Sequence, residues 1–428
     1  MKKLLLIFIL YSCSLSAQVI YVSQSATGLD NGSDWDNAFV DLQDAIALSQ
    51  TGDEIWVANG IYTPVPIGSY NSTSPERAFS FIVNNISIYG GFIGEETSLQ
   101  DRPELDIYNL KTVLSGDINS DDTSVGKDEN TAHIILCSGN FILNGLTIQS
   151  GYDTYIMTTG GAGIKIENGN GNITKCSLLK NHAPESGGGI EINNNCSVLI
   201  NECLFINNHS GYGGAIYAGG TSASINNSIF TNNSSVVASS AIDARDNTKI
   251  SHCIFYNNLA FQQESAVSLY GNSKITNSII INNHSKFCRS VRLRSSSKIF
   301  NTLIAYNTSE SETAGIYGGS FRMHNSILRN NTVLGVSSNI AKAYGANPTI
   351  LNSNIEQDST NAWVFNEPTN FDLEPLFVDV SSSDFHLLAG SPCIDFGRLD
   401  DESPRTDYDG NPDRKSTRLN SSHGQLSR

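Results

Sequence analysis

Residues 225–258 read INNSIFTNNSSVVASSAIDARDNTKISHCIFYNN, and one pattern occurs in them twice. An aliphatic residue, a small residue, an aromatic ring and an asparagine recur 25 residues apart, as Ile225, Ser228, Phe230 and Asn233 and then as Ile250, Cys253, Phe255 and Asn258. A repeat of 20–50 residues is the signature of a solenoid or a related stacked architecture. The repeat, more than any local propensity, therefore decides the fold.

The pattern extends over seven segments. Each contains a small residue, at Cys176, Cys203, Ser228, Cys253, Ser278, Thr302 and Ser326. Five positions later every segment has an asparagine, at Asn181, Asn208, Asn233, Asn258, Asn283, Asn307 and Asn331. A further aliphatic residue follows, at Ile190, Ile216, Ile242, Val267, Val291, Ile316 and Ile340. These positions predict an all-β solenoid with coils of about 25 residues, in which like residues stack along the axis.

Three columns have an expected physical role. The Cys/Ser/Thr column is predicted to fill tight interior space, which makes its cysteines packing residues. The asparagine column is expected to occupy a left-handed turn and to form side-chain hydrogen bonds from coil to coil. The glycines before the second strand, such as Gly213 and Gly214, suit a sharp corner.

These segments resemble a known group of proteins. Asn-Asn followed by glycines and Ile-Tyr, as in 207–217, is similar to the right-handed parallel β-helix repeats of pectate-lyase-like and polymorphic outer-membrane proteins. Tyr21–Trp35, Tyr89–Phe92, Leu114–Asp117, Ser391–Asp395 and Asp407–Gly410 resemble stretches of secreted β-helix proteins of Bacteroidota. The resemblance implies a right-handed parallel β-helix and says little about activity.

The N-terminus has the features of an export signal. Lys2 and Lys3 precede an apolar run, and Leu15–Ala17 fits a cleavage site, so 1–17 is interpreted as a signal peptide of a secreted or cell-surface protein. A second interpretation takes Cys13 as the lipidated residue of a lipoprotein. The apolar run is too short for a transmembrane helix, and no other segment is a candidate.

The rest of the chain divides by its regularity. Residues 18–133 are predicted to form an N-terminal cap and irregular first coils, with a short capping helix within Asp36–Ser49 and Asp36 as its N-cap. Residues 134–344 are the regular coils, and 345–412 a C-terminal coil and cap. Residues 413–428 begin DRKSTRLNSSH, the translation of a common sequencing adapter; we interpret them as a library artefact, the alternative being a natural basic tail.

Composition narrows the function. With 26 basic and 42 acidic residues the formal net charge is −16, which disfavours sequence-independent nucleic-acid binding. The cysteines show neither paired spacing nor a metal-binding pattern. The oligomeric state is left open.

Function on a solenoid is expected on outward-facing residues of one strand. Next to the second aliphatic column, two outward columns form a strip. Its candidate ligand-binding residues are Glu191, Tyr217, Asp243, Arg245, Tyr270, Arg292, Arg294 and Tyr317. Aromatic faces stack on sugar rings and arginines bind carboxylates, so an acidic polysaccharide or cell-surface glycan is the expected partner. The competing interpretation is a solvated strip whose opposite charges pair.

Catalysis on the strip would need specific groups. A polysaccharide lyase needs a base and a charge neutraliser, roles for which Asp243, Arg245, Arg292 and Arg294 are candidates. A glycoside hydrolase needs two carboxylates, and Glu191 and Asp243 are predicted to lie two coils apart. A calcium cofactor has two candidate loops. Asp117, Asn119, Asp121 and Asp128 have alternate-oxygen spacing, and Asp407, Asp409 and Asn411 form a similar but shorter set; an ordinary acidic turn explains both.

The sequence thus favours an adhesin-like β-helix protein that binds glycan. The alternative is a polysaccharide lyase or glycoside hydrolase acting on an acidic polysaccharide, and a third interpretation is a passive spacer.

Overall fold

The computed structural model describes residues 17–64, 79–81, 86–122, 127, 130–153, 160–193, 195–220, 222–263, 266–287, 289–294, 296–398 and 404–411. Residues 1–16 lie outside the described residues; they include Cys13 and all but the last residue of the predicted signal peptide 1–17. The tail 413–428 and Asp128 of the candidate calcium loop also lie outside them. No helix in the described part of the chain is long and apolar enough to cross a membrane.

The chain is an all-β parallel β-helix, as the repeat predicts. Four ladders of parallel strands, here named A to D in their order around a coil, run along the axis. The strands Ile135–Asn144 and Ile164–Thr174 each span ladders A and B, and in later coils a turn separates the two.

Ladder A continues through Ile190–Ile192, Ile216–Ala218, Ile242–Ala244, Val267–Leu269, Val291–Leu293, Ile316–Gly318 and Ile340–Lys342, and Phe79–Phe81 pairs at its N-terminal end. Ladder B begins with Val19–Val22, Glu54–Ala58 and Ile86–Phe92. It continues through Ser197–Asn201, Ser222–Asn226, Lys249–Ser251, Lys274–Thr276, Lys298–Phe300, Arg322–His324 and Thr349–Leu351.

Ladder C contains Gly60–Tyr62, Thr112–Ser115, Thr147–Gln149, Ser177–Leu179, Leu204–Ile206, Ile229–Thr231, Ile254–Tyr256, Ile279–Ile281, Leu303–Ala305, Ile327–Arg329 and Asn354–Ile355. Ladder D contains His209–Tyr212, Ser234–Ala238, Leu259–Ala260, His284–Ser285, Thr308–Ser309, Thr332–Val333 and Val336–Ser337, of which the last pair is antiparallel.

Stacked apolar side chains fill the interior. Ile200, Ile225 and Ile250 are direct partners on neighbouring strands. The rings of Phe205, Phe230 and Phe255 stack with centroids 4.7 and 4.9 Å apart. Because each coil repeats its neighbour's inward residues, the core is one continuous column, and burial of that apolar surface is its main stabilisation.

The asparagine column forms the predicted ladder of side-chain amides. Asn208 Nδ2 donates to Asn233 Oδ1 at 3.0 Å, Asn233 repeats this bond to Asn258, and the chain of bonds continues to Asn331. The expectation that these asparagines adopt the left-handed conformation is wrong. The left-handed residue is the one before each of them, such as Asn207 or Asn232. The turn geometry falls on that residue because its side chain points outward, whereas the ladder asparagine is buried.

The small-residue column packs as expected. Cys176, Cys203 and Cys253 are free, fully buried thiols, and burial raises the pKa of Cys176 and Cys253 to about 12. At the same level of the stack, Ser228 Oγ accepts a hydrogen bond from the Cys203 backbone N–H at 3.1 Å. Serine and cysteine are therefore interchangeable fillers of one narrow space.

A short helix, Leu42–Leu48, caps the N-terminal coil. Its N-cap is Asp41, whose Oδ1 accepts from the Gln43 backbone N–H at 2.8 Å, so the assignment of this role to Asp36 was wrong. The helix begins later than expected because Asp41 is the residue that satisfies an otherwise unpaired first-turn donor. Leu42, Ala45 and Ile46 bury its apolar face against the first coils.

The C-terminal part does more than cover the last coil. The short 3-10 helix Ala362–Asn366 packs on the end of the core. The hairpin Phe377–Asp379 and Asp384–Leu387 lies on the outer face of ladder C, where Phe385 and Leu387 form one buried cluster with outward apolar residues such as Ile279 and Leu303. We call residues 371–398 and 404–411 the return segment, because they run back along the solenoid.

Hydrogen bonds place the return segment coil by coil. Phe396 O accepts from Asn352 Nδ2 at 3.3 Å and Arg398 O accepts from Asn325 Nδ2 at 2.7 Å. Thr406 O accepts from Asn277 Nδ2 at 3.1 Å, and Asp407 O lies 3.2 Å from His252 Nε2. The segment therefore covers the B–C turns from the coil of Asn352 back to that of His252.

Candidate functional site

The outward residues of ladder A stack as the repeat alignment predicts. One column pairs directly from strand to strand, through Lys165, Glu191, Tyr217, Asp243, Ser268, Arg292 and Tyr317. A second column two residues further on contains Arg245, Tyr270 and Arg294, whose backbone N–H groups bond to the preceding coil. We call these two columns the ladder-A strip. Successive coils are about 4.8 Å apart along it.

Arg245 is the best-defined side chain of the strip. Its guanidinium carbon lies 5.0 Å from the ring centroid of Tyr217 and 5.4 Å from that of Tyr270. Its Nε donates to Asp243 Oδ1 at 3.1 Å; the Asp243 side chain is 0% exposed and the Arg245 side chain 40%. A buried carboxylate and two aromatic faces therefore hold a partly exposed cation in one orientation.

The ionisation of this group follows from its contacts. Burial lowers the pKa of Arg245, but the charge of Asp243, its hydrogen bond to Arg245 and the two neighbouring tyrosines together outweigh that effect, so the pKa lies above its ordinary value. Burial raises the pKa of the Tyr217 phenol. Both groups therefore keep their protons at neutral pH, and Arg245 is suited to neutralise an anion rather than to accept a proton.

The remaining predicted residues of the strip extend this arrangement. Arg294 is exposed, and its guanidinium carbon lies 5.2 Å from the centroid of the Tyr270 ring, which Arg245 also contacts. Arg292 Nη1 donates to Gln263 Oε1 at 3.2 Å. Tyr317 lies under Arg289, which pairs with Glu312. Arg289 is a residue of the turn before ladder A that the sequence pattern did not single out.

Glu191 points outward from the core but is only 3% exposed. Ser186 Oγ donates to its Oε1 at 2.6 Å, while its buried Oε2 makes no hydrogen bond within the described residues. Burial raises the pKa of this carboxyl, although the Ser186 hydrogen bond and the charge of Lys165 oppose the shift. The two carboxylates proposed for hydrolysis, Glu191 and Asp243, are thus both covered, and neither presents an oxygen to a bound sugar.

The candidate calcium loop is arranged as an acidic turn where it is described. Asp117 Oδ1 accepts from the Asp121 backbone N–H at 3.1 Å, and Asp122 Oδ1 accepts from Asn130 Nδ2 at 3.1 Å. In the described part of the chain no three His, Cys, Asp or Glu side chains form a group that could hold a metal ion. Asp128 lies outside the described residues.

Sequence reasoning missed a second set of outward residues, on ladder B. Lys249, Lys274, Lys298 and Arg322 are direct partners on four successive strands. We call them the ladder-B row. The signal was present in the alignment, because each cation directly precedes the inward Ile or Met of its segment.

No protein-family model matches this chain, and no curated protein matches it. Its fold is similar to that of a rhamnogalacturonan lyase, with a TM-score of 0.51 and 15% identity over 85% of this chain and 91% of that chain. It also matches pectate lyase Pel9A, with a TM-score of 0.45 and 12% identity over 95% of this chain and 97% of that one. A pectin methylesterase in complex with a hexasaccharide has a TM-score of 0.36 and 15% identity, over 76% and 93% of the two chains.

At these identities the likeness concerns the fold, and it confirms the expected pectate-lyase-like β-helix. The names of these three structures are those of polysaccharide lyases and of a pectin methylesterase, and none of them is the name of an adhesin.

Proposed function

We propose that this protein acts on an acidic polysaccharide that lies along the ladder-A strip. The observation that supports this most is the Arg245 guanidinium, fixed between the rings of Tyr217 and Tyr270 by the buried carboxylate of Asp243. An oriented cation between two aromatic faces is complementary to a uronate residue, which has a carboxylate on a ring with apolar faces. Arg294, over the same Tyr270 ring, would contact the next anionic unit.

Elimination is the reaction that this arrangement favours. In β-elimination a cation neutralises the uronate carboxylate, so that a base can take the proton from the adjacent carbon. The C–O bond to the leaving sugar then breaks as a C=C bond forms, and the released sugar oxygen takes up a proton from solvent. Arg245 is suited to this neutralising role because its raised pKa keeps it charged. Hydrolysis by Glu191 and Asp243 is disfavoured, since both carboxylates are buried and Asp243 is already paired with Arg245.

The test is a digestion of acidic and neutral polysaccharides by the full chain, with and without calcium. Ultraviolet absorbance reports the unsaturated product of elimination, and a reducing-end assay reports any cleavage. We expect unsaturated product from an acidic polymer, lost in Arg245→Ala and strongly reduced in Tyr270→Ala. Tyr344→Ala is the matched control, since Tyr344 is fully exposed and outside the strip.

Other outcomes would redirect the proposal. New reducing ends without the absorbance change would identify a hydrolase. Binding without cleavage would leave the adhesin-like function, and neither binding nor cleavage would leave the spacer. Export through residues 1–17 is part of the proposal, because a polymer substrate lies outside the cell; N-terminal sequencing of the secreted chain would test it.

A further inference from the structure

The side chains of the ladder-A strip alternate in chemistry from one coil to the next. Five successive coils present a tyrosine or an arginine in turn, in the order Tyr217, Arg245, Tyr270, Arg294 and Tyr317. Their strands are consecutive members of ladder A, each paired in parallel with the next. The chemistry of the strip therefore repeats every two coils, a distance of about 10 Å, although its backbone repeats every coil.

Ring contacts hold the two arginines in this order. The Arg245 guanidinium lies over the Tyr217 ring on one side and over the Tyr270 ring on the other. Arg294 reaches the same Tyr270 ring from the following coil. Each contact is a favourable cation–π interaction. The Tyr270 strand also keeps the two cations about 10 Å apart, a distance over which salt largely screens their repulsion.

Both guanidinium groups have donors to offer a ligand. Arg245 uses its Nε for Asp243; within the described residues its terminal nitrogens Nη1 and Nη2 donate to no protein group, and its side chain is 40% exposed. Arg294 is exposed and forms no ion pair with any residue that the structure describes. The terminal nitrogens of a guanidinium match the two oxygens of a carboxylate. The strip thus has two carboxylate-binding groups, separated by one coil.

The coil between these arginines offers no positive charge on the strip. Its outward residues there are Ser268, which is 0% exposed, and Tyr270, which has a neutral phenol. Arg292 belongs to the same coil as Arg294 and donates to Gln263, so it adds no cation at the intermediate level. A carboxylate placed against the intermediate coil would therefore be desolvated without a cationic partner, which is unfavourable.

From this geometry we propose that the strip binds a polysaccharide through the carboxylates of every second sugar residue, with Arg245 and Arg294 on two of them and Tyr270 against the sugar between. A pyranose unit extends about as far as one strand spacing, so two coils correspond to one disaccharide. The inference rests on the proposed function for where the ligand lies, and it adds the repeat that the ligand must have.

Two kinds of chain have this shared chemistry. In one, acidic and neutral sugars alternate. In the other, every sugar is a uronate, and the chain is extended so that successive carboxylates point to opposite sides. In both, only every second carboxylate faces the protein. Turnover of an alternating polymer and of a uronate homopolymer, measured side by side, identifies which of the two the strip takes.

The experiment is a calorimetric titration of the full chain and of Arg294→Gln with short oligosaccharides. The ligands are a uronate disaccharide, a uronate trisaccharide and a trisaccharide whose middle sugar is neutral. Arg294→Gln should weaken binding of both trisaccharides by about three- to fivefold, the size of one exposed charge contact, and that of the disaccharide by less than about twofold. Lys180→Gln is the control, because it removes the same charge from an exposed position on the turn after ladder C.

The native chain gives a second measurement that does not depend on a variant. It should bind the two trisaccharides within about twofold of each other, because the middle carboxylate has no cation to contact. A uronate trisaccharide that binds about tenfold tighter than the one with a neutral middle sugar would overturn the proposal.

The variants can overturn it as well. Losses in Arg294→Gln that are equal for the disaccharide and the trisaccharides, absent from all three, or matched by Lys180→Gln would each contradict a two-coil spacing. Failure of the proposed function is seen separately, as the absence of unsaturated product from either polymer while the dependence of binding on oligosaccharide length remains.

Discussion

Asp243 lies beneath Arg245 on ladder A, and its fully buried Oδ1 accepts the Arg245 Nε hydrogen at 3.1 Å. The carboxylate does not reach the surface itself. It orients the Arg245 guanidinium, which is partly exposed, and it affects a ligand only through that cation. Asp243 is therefore a positioning residue, which gives the first prediction.

Asp243→Asn should reduce kcat/KM for an acidic polysaccharide by about 10- to 100-fold, since loss of orientation at a reacting group has costs of this order. The amide keeps the volume but removes the charge that holds Arg245. The measurement is steady-state kinetics, with Asp246→Asn as the control: Asp246 is exposed, and its change removes the same charge. Equal effects in the two variants would contradict a positioning role.

The asparagine ladder should add measurably to the stability that the apolar core gives the regular coils. Asn233→Ala removes the acceptor of the Asn208 side-chain and backbone donors and the donor to Phe205 O. We expect the free energy of unfolding to fall by about 3 kcal/mol or more, because buried donors are left unpaired. Denaturant titration measures this loss.

The adjacent left-handed residue is the comparison for that change. Asn232 has φ +55°, so Asn232→Ala should cost about 1 kcal/mol from backbone strain, and Asn232→Gly less than that. If Asn232→Ala destabilises as much as Asn233→Ala, the stability resides in the turn and not in the amide ladder.

The cysteines of the small-residue column should be inert in the folded protein. Burial raises the pKa of Cys176 and Cys253 to about 12, so the reactive thiolate is scarce at neutral pH. A thiol reagent should label them only when the chain unfolds. Cys253→Ser should change the free energy of unfolding by about 1 kcal/mol or less, because Ser228 and Ser278 occupy the same column. Rapid labelling of the native protein would refute the packing role.

The return segment should be held more tightly at mildly acidic pH. His386 lies between Asp384 Oδ1 and Asp409 Oδ2; partial burial alone would lower its pKa, but these carboxylates raise it above 6.5. The stabilisation is therefore fully present below pH 6.5 and is lost as pH rises through the folded pKa. It is also lost at low pH, as Asp384, whose pKa is lowered from 3.8, becomes protonated.

Hydrogen exchange of residues 404–411 on either side of pH 6.5, compared with His386→Gln at each pH, measures this dependence. The variant should exchange faster than the native chain on the acidic side and similarly on the alkaline side. A difference that grows with pH would have the opposite sign to the one expected.

The regular coils could be predicted from the sequence because each column repeats one physical requirement. An inward Ile or Phe, a buried asparagine and a small filler recur at fixed intervals, so the stacking partners of Tyr217 or Arg245 follow from alignment alone. Local turn geometry was harder. The left-handed position was assigned to Asn233 and belongs to Asn232, because two adjacent asparagines offer the same propensity and only burial separates them.

The sequence predicted which residues of the ladder-A strip stack on one another, but it did not predict how exposed their side chains are. Alternation along a strand correctly puts Glu191 and Asp243 outside the core, yet both are covered by neighbouring side chains. Arg289, which contacts Tyr317, lies in an irregular turn. Such turns have no sequence repeat from which the contact could be predicted. The path of the return segment could not be predicted from the repeat either, since it depends on non-repeating residues that pack on ladder C.

That return path changes how the molecule should come apart. In a stack where each coil touches only its neighbours, the last coil can fray without disturbing the others. Here the chain doubles back, and Arg398 is bonded to Asn325 while Asp407 lies against His252. Any coil between that of His252 and that of Asn325 can unfold only after the return segment detaches from the solenoid. The return segment therefore couples the C-terminal coils to one another. We expect these coils to unfold as one cooperative unit, whereas the N-terminal coils can unfold one at a time.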